Sequence, residues 1–171
     1  MTTPHGRALR LLFSLTLLAV FPAVSVTAEE SEDEFTREVA RYELTLANLE
    51  AYGATLAGLA DWAGAKPAEA AALRKRLPKG PTAYRQTIAQ IGAEPAIAVQ
   101  LKQHKLTARD FVLLPMVVLQ ARIAALGEAQ GRTFPADRIN PKNPALVRAH
   151  ENRVNEIMTK VAADRARAFG Q

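Results

Sequence analysis

His150, Glu151, Asn152, Arg153 and Val154 spell His-Glu-Asn-Arg-Val, the opening of the zinc-protease pattern H-E-x-x-H with valine where the second histidine belongs. That chemistry needs two imidazoles one helical turn apart and a glutamate base between them. Val154 offers no ligand, and His150 and Glu151, as neighbours on a helix, diverge by about 100°. His150 falls instead between Val147 and Val154 on one helical face. It is therefore expected to be a core histidine hydrogen-bonded to a neighbour, and no metal ligand is assigned. A haem-binding bundle would need an axial partner for His150 across the core. Met116 is the only residue that fits, because Met158 lies on the same helix as His150.

Other catalytic constellations are missing. Beyond residue 28 the only serine is Ser31, and it stands at an expected helix start. There is no G-x-S-x-G turn and no glycine-rich phosphate loop. The chain has no cysteine, which excludes disulfides, thiolate metal sites and covalent c-type haem. No catalytic residue and no cofactor are assigned, and the chain is expected to be non-enzymatic. The best remaining clues are polar residues in apolar company: Gln120 and Arg122 after a long apolar run, and Asn143, His150 and Asn155 in the last helix. If Gln120 or Arg122 meets His150 across the core, they form a structural network. With Met116 they would instead line a pocket for a small apolar ligand or haem-type cofactor beside Pro115.

The elements that position these residues begin after a secretory signal. Arg7 and Arg10 precede the apolar run Leu11 to Phe21, Pro22 breaks it, and Val26-Thr27-Ala28 ends in the small residue that signal peptidase requires. A spanning helix needs about 20 apolar residues, and this run is shorter. Cleavage after Ala28 is expected, with a periplasmic or secreted product and membrane contact only through the signal before cleavage. Residues 29–171 then suffice for a single domain with its own core. Residues 29–50 carry eight acids against two arginines, in a chain whose overall charge is +5. The basic remainder shows no aromatic-interleaved stripe of the kind that stacks bases, and export argues further against nucleic acid.

Every legible element is helical. Ser31-Glu32-Asp33-Glu34 forms a capping box. After it Phe35, Val39, Tyr42, Leu46, Leu49, Gly53, Leu56 and Ala60 alternate spacings of four and three, a heptad seam that predicts one long helix from about Asp33 to Ala63. Gly53 in that seam implies close passage of another helix. Pro67 opens a short helix that ends before Pro78, and LRKRLPKGP makes a basic exposed turn. Thr82 caps a helix carrying Tyr84, Ile88 and Ile91, and Pro95 opens another with Ile97, Val99 and Leu101. Thr107, with Asp110 three residues on, caps a helix of about 20 residues. Its run FVLLPMVVL is apolar at every position, so this helix is expected to be the most buried. Pro115 inside it frees the Phe111 carbonyl. Asn143 as cap and Pro144 at the first helical position open the last helix, which continues to Phe169.

Two blocks, HKLTARDFVLLPMVVLQARIAAL and INPKNPALVRAHENRVNEI, resemble paired blocks in small exported, all-helical bacterial proteins. The resemblance implies a bacterial periplasmic helical protein and supplies no activity or catalytic residue. The expected fold is all-α: an antiparallel helical bundle of about three long helices with two or three short ones, and no sheet. The expected partner is another protein or an envelope surface, with a second copy of the chain as a further candidate.

Overall fold

A computed structural model of the chain describes residues 24–77, 83–135 and 137–170, with side chains from residue 33 onward. The signal segment through residue 23, the Pro78–Pro81 turn and Thr82 lie outside the described residues. Among those described there are eight helices and no strand: α1 (Val24–Arg41), α2 (Leu46–Ala65), α3 (Pro67–Arg76), α4 (Tyr84–Ala93), α5 (Pro95–Gln103), α6 (Ala108–Ala129), α7 (Lys142–Ala149) and α8 (Glu151–Phe169).

The first long helix is two. Arg41 ends α1, and Thr45 adopts extended backbone (φ −130°, ψ 157°) to cap α2. The Thr45 hydroxyl accepts from the Asn48 N–H at 3.1 Å, and the Asn48 side chain accepts from the Thr45 N–H at 3.0 Å. This capping box satisfies two backbone donors that a helix start leaves orphaned. The heptad seam runs on across the break because both helices lay their apolar faces on the same core. Ser31 lies inside α1 rather than at its start, since the helix begins at Val24.

The most extensive helix packing is α2 on α8. Glu50 pairs with Arg153 at 2.7 Å and Asp61 with Arg167 at 2.6 Å, so residue numbers rise together and the two helices run parallel. The bundle is thus antiparallel only in part; the long excursion through α3 to α7 lets the chain return in the same direction. Gly53 sits against Ile157 and Val161 of α8. A Cβ there would meet the Ile157 methyl at 3.4 Å, so a residue without a side chain lets the backbones approach.

Four of the acids of residues 29–50 are matched within the fold. Glu34 pairs with Arg85 of α4 at 2.8 Å, Glu38 with Arg109 of α6, Glu43 with Lys142 of α7 at 2.9 Å, and Glu50 with Arg153 of α8. A hydrogen bond from Arg85 holds the Glu34 carboxyl below its ordinary pKa. The uneven charge along the sequence therefore holds the N-terminal helices against the rest. Such exposed pairs are individually worth about 0–1 kcal/mol, so they set register more than they stabilise.

α6 turns Leu113, Leu114, Val117, Val118, Ala121 and Ala124 inward, each essentially inaccessible. Its other side is not covered. Leu119, Ile123 and Leu126 are 51%, 52% and 65% exposed, so α6, which carries more buried residues than any other described helix as its composition implied, is nevertheless not buried all round. It is long and apolar enough to cross a membrane by length and composition, and half of that run is buried inside the bundle.

Candidate functional site

The sequence-derived site does not assemble. His150 is exposed and stands between α7 and α8 with φ −129° and ψ 31°. A ψ near −42° would have continued the helix; the break rotates His150 off the line from Val147 to Val154. It is a helix junction, neither a seam residue nor a core histidine. Arg122 is also exposed and donates to the Asn155 side-chain oxygen at 3.0 Å, so neither Arg122 nor its neighbour Gln120 meets His150 across a core. Gln120 is half-buried and its Oε1 is buried without a hydrogen bond. Met116 and Pro115 are half-buried, and Met116 packs against the core. With His150 exposed, a buried axial pair of His150 and Met116 is not formed.

Asn143, expected to cap the last helix, does something else. It lies in the first turn of α7 and is 1% exposed. Its Oδ1 accepts from the Leu44 N–H at 2.9 Å, and its Nδ2 donates to the Tyr42 carbonyl at 2.9 Å. One amide thus satisfies two backbone groups left unpaired by the α1–α2 elbow. Pro144 follows at the third position of α7, where its missing N–H is still one of the helix-start orphans.

The same elbow is gripped from α6. The Tyr42 hydroxyl donates to Asp110 Oδ1 at 3.0 Å and accepts from Asn48 Nδ2 at 3.3 Å. Asp110 Oδ2 accepts from the Thr107 N–H at 3.0 Å, and Thr107 Oγ1 accepts from the Asp110 N–H at 3.1 Å. Thr107 therefore caps α6 as its spacing implied, and Tyr42 ties that capping box to the one at Thr45. Burial and then the Asp110 charge push the Tyr42 hydroxyl well above its ordinary pKa. At neutral pH it is a fixed hydrogen-bond donor with no proton to trade. The carboxylate beside it is committed to the tyrosine and to Thr107. This cluster is a clamp, and it is built from both sequence blocks: Thr107, Arg109 and Asp110 from one, Lys142 and Asn143 from the other.

Among the described residues, three of the five exposed large hydrophobic side chains gather on the outward side of α6. Val112, Met116, Leu119, Ile123 and Leu126 follow spacings of four, three, four and three; the first two pack against the core, and the last three form an outward apolar patch. Val112 and Met116 are half-buried, and the last three are more than half exposed. No charged residue lies in this patch, and Arg122 at its edge is turned to Asn155. Sequence reasoning missed it because FVLLPMVVL is apolar at every position, which hides which of its side chains face outward. The signal was present beyond the run, where Leu119, Ile123 and Leu126 keep their spacing among Ala, Arg and Gln.

A cavity of about 250 Å³ lies between α2, α3 and the α4–α5 junction, lined by residues that include Trp62, Glu69, Arg76, Glu94 and Pro95. Arg76 and Glu94 pair at 2.7 Å on its wall, and none of the sequence-derived site residues lines it. Among the described residues no group of three or more His, Cys, Asp or Glu side chains could hold a metal ion. Fold and site together define a class: an all-α helical bundle that, among the described residues, leaves an aliphatic patch of α6 uncovered. No family model matches the chain, and no curated protein or solved structure was found to be similar to it.

Proposed function

We propose that this chain is an exported, non-enzymatic bundle that works by binding, and that a protein partner docks on the outward face of α6. The observation that carries this reading is the uncharged apolar patch of Leu119, Ile123 and Leu126, three large aliphatic side chains more than half exposed. Contiguous apolar surface of this kind is unfavourable in water and marks interaction sites in soluble folds. A helix laid on such a surface is one of the recurring modes of recognition. The sequence before residue 28 supports export, and cleavage after Ala28 would leave Glu34, Phe35, Glu38, Val39 and Tyr42, the described packing residues of α1, in place.

A photo-crosslinking side chain at Ile123, in protein expressed in its own cell, tests the reading. A discrete protein adduct is expected from Ile123 and none from the exposed Ala163 on α8. Equal yields from both positions, or none from Ile123, would remove the docking surface. Intact mass on the same material checks export: a chain beginning at Glu29 is expected, and a full-length chain would refute it.

A further inference from the structure

We propose that the cavity between α2, α3 and the α4–α5 junction binds a small, uncharged, planar aromatic molecule bearing a carboxamide or a similar edge of adjacent donor and acceptor. No residue of α6 lines it, so the site stands whatever docks on that helix.

Shape sets the size of the ligand. Trp62, the only tryptophan in the chain, is half-buried against the core and lines the cavity with Ala72 of α3 and with Pro95 and Ala96 of α5. Glu69, Ala72 and Arg76 recur at spacings of three and four, so one face of α3 forms a wall. Alanine in the middle of that wall and at the start of α5 leaves about 250 Å³ open beside the indole. Pockets for drug-sized molecules run from about 300 Å³ upward, so this volume suits one substituted ring. An aromatic ring set offset or edge-on to the indole gains more than its buried area alone supplies.

The polar wall narrows the class. Arg76 donates to Glu94 through Nε at 3.0 Å and through Nη2 at 2.7 Å. The Glu94 side chain is only 15% exposed, so this two-point pair is held in place. A guanidinium has five N–H donors and a carboxylate about four acceptor positions, and the pair uses two of each. It therefore presents a donor and an acceptor side by side, which a carboxamide or lactam edge matches with its own carbonyl and N–H. Charged rings fit less well. An anion meets two carboxylates, Glu69 and Glu94, against one guanidinium. A cation faces Arg76 and finds both carboxylates already paired, Glu69 with Lys66 at 3.1 Å.

The single tryptophan supplies the readout. Benzamide titrated into the chain should change Trp62 fluorescence to saturation, with a dissociation constant on the order of 0.1–1 mM, as a ligand of about nine non-hydrogen atoms allows. Benzoate and benzylamine should each bind about tenfold more weakly. Ala72→Leu, at an exposed position of α3, should fill the cavity and abolish the change with helix content and urea midpoint intact, and Ala96→Leu should do the same from α5. Arg76→Leu should turn the preference toward benzylamine, because the Glu94 carboxylate is then left for the amine. No saturable change up to about 20 mM benzamide would overturn the site. Saturation that survives both leucine variants would place benzamide elsewhere and overturn it equally. Equal affinity for the three probes would overturn the matched amide edge.

Discussion

The α1–α2 elbow and the outward face of α6 handle the same problem, an interruption of regular burial, in opposite ways. At the elbow the chain leaves helix for four residues and exposes backbone groups to the interior. Side chains answer four of them: Tyr42 C=O and Leu44 N–H by Asn143, Glu43 C=O and Thr45 N–H by Asn48. Along α6 the backbone is regular throughout, and it is the side chains that go unanswered, with three aliphatic residues more than half in water. Unpaired buried polar groups are costly enough to be designed out of a fold, so these four are answered within one chain. Exposed apolar groups cost less and can be covered later by something else. The comparison separates a region that serves the fold from a region free to serve a partner.

Removing the Asn143 amide should strain this contrast most. Asn143→Ala leaves a buried N–H and a buried C=O without partners, at about 1–3 kcal/mol each, for a total of roughly 4 kcal/mol. The urea midpoint should fall with little change in slope. A loss under about 1 kcal/mol would mean that the elbow tolerates open groups and the contrast is not one of completeness.

Alkali probes the same region more gently. Burial pushes the Tyr52 hydroxyl up to about 12 from an ordinary 10.0, and Tyr42 shifts in the same direction. A raised folded pKa means the native state holds its proton more tightly than the unfolded chain does. The resulting stability is fully present below pH 10 and is lost as pH rises from 10 through the folded values. For Tyr52 a shift of this size corresponds to roughly 2–3 kcal/mol. Urea midpoints followed with tyrosinate absorbance should decline together over that interval, and Tyr42→Phe should flatten the decline.

Much of this fold was legible in the sequence, and the failures share a cause. Thr107 and Asp110 announced the start of α6 because a capping box is local chemistry that tertiary packing does not override. Pro67 and Pro95 opened their helices for the same reason. The elbow at Tyr42 was missed although Thr45 and Asn48 carry a capping box, because asparagine in place of glutamate makes a weaker signature and no glycine or proline marks the stop. His150 was placed on a seam by extrapolating a helical wheel through a junction with no breaker residue. Asn143 was assigned a local role because a sequence cannot show a partner about a hundred positions away. The outward face of α6 was hidden by its own composition: hydrophobicity states that burial is favourable, not that this chain alone provides it.

The smallest expected effect is the sharpest test of that last point. Leu126→Ala removes an apolar side chain from a helix, as Leu113→Ala would one face away. Leu113 is fully buried, and Leu→Ala at such sites costs about 2–5 kcal/mol through lost transfer energy and the cavity left behind. Leu126 is 65% exposed, leaves no cavity, and gains slightly in helix propensity. Its unfolding free energy, read from urea midpoints, should therefore change by less than about 0.5 kcal/mol. If Leu126→Ala loses as much as Leu113→Ala, Leu126 is a core residue of the single chain. In that case α6 has no free face, and the difference between its two sides is one of geometry alone.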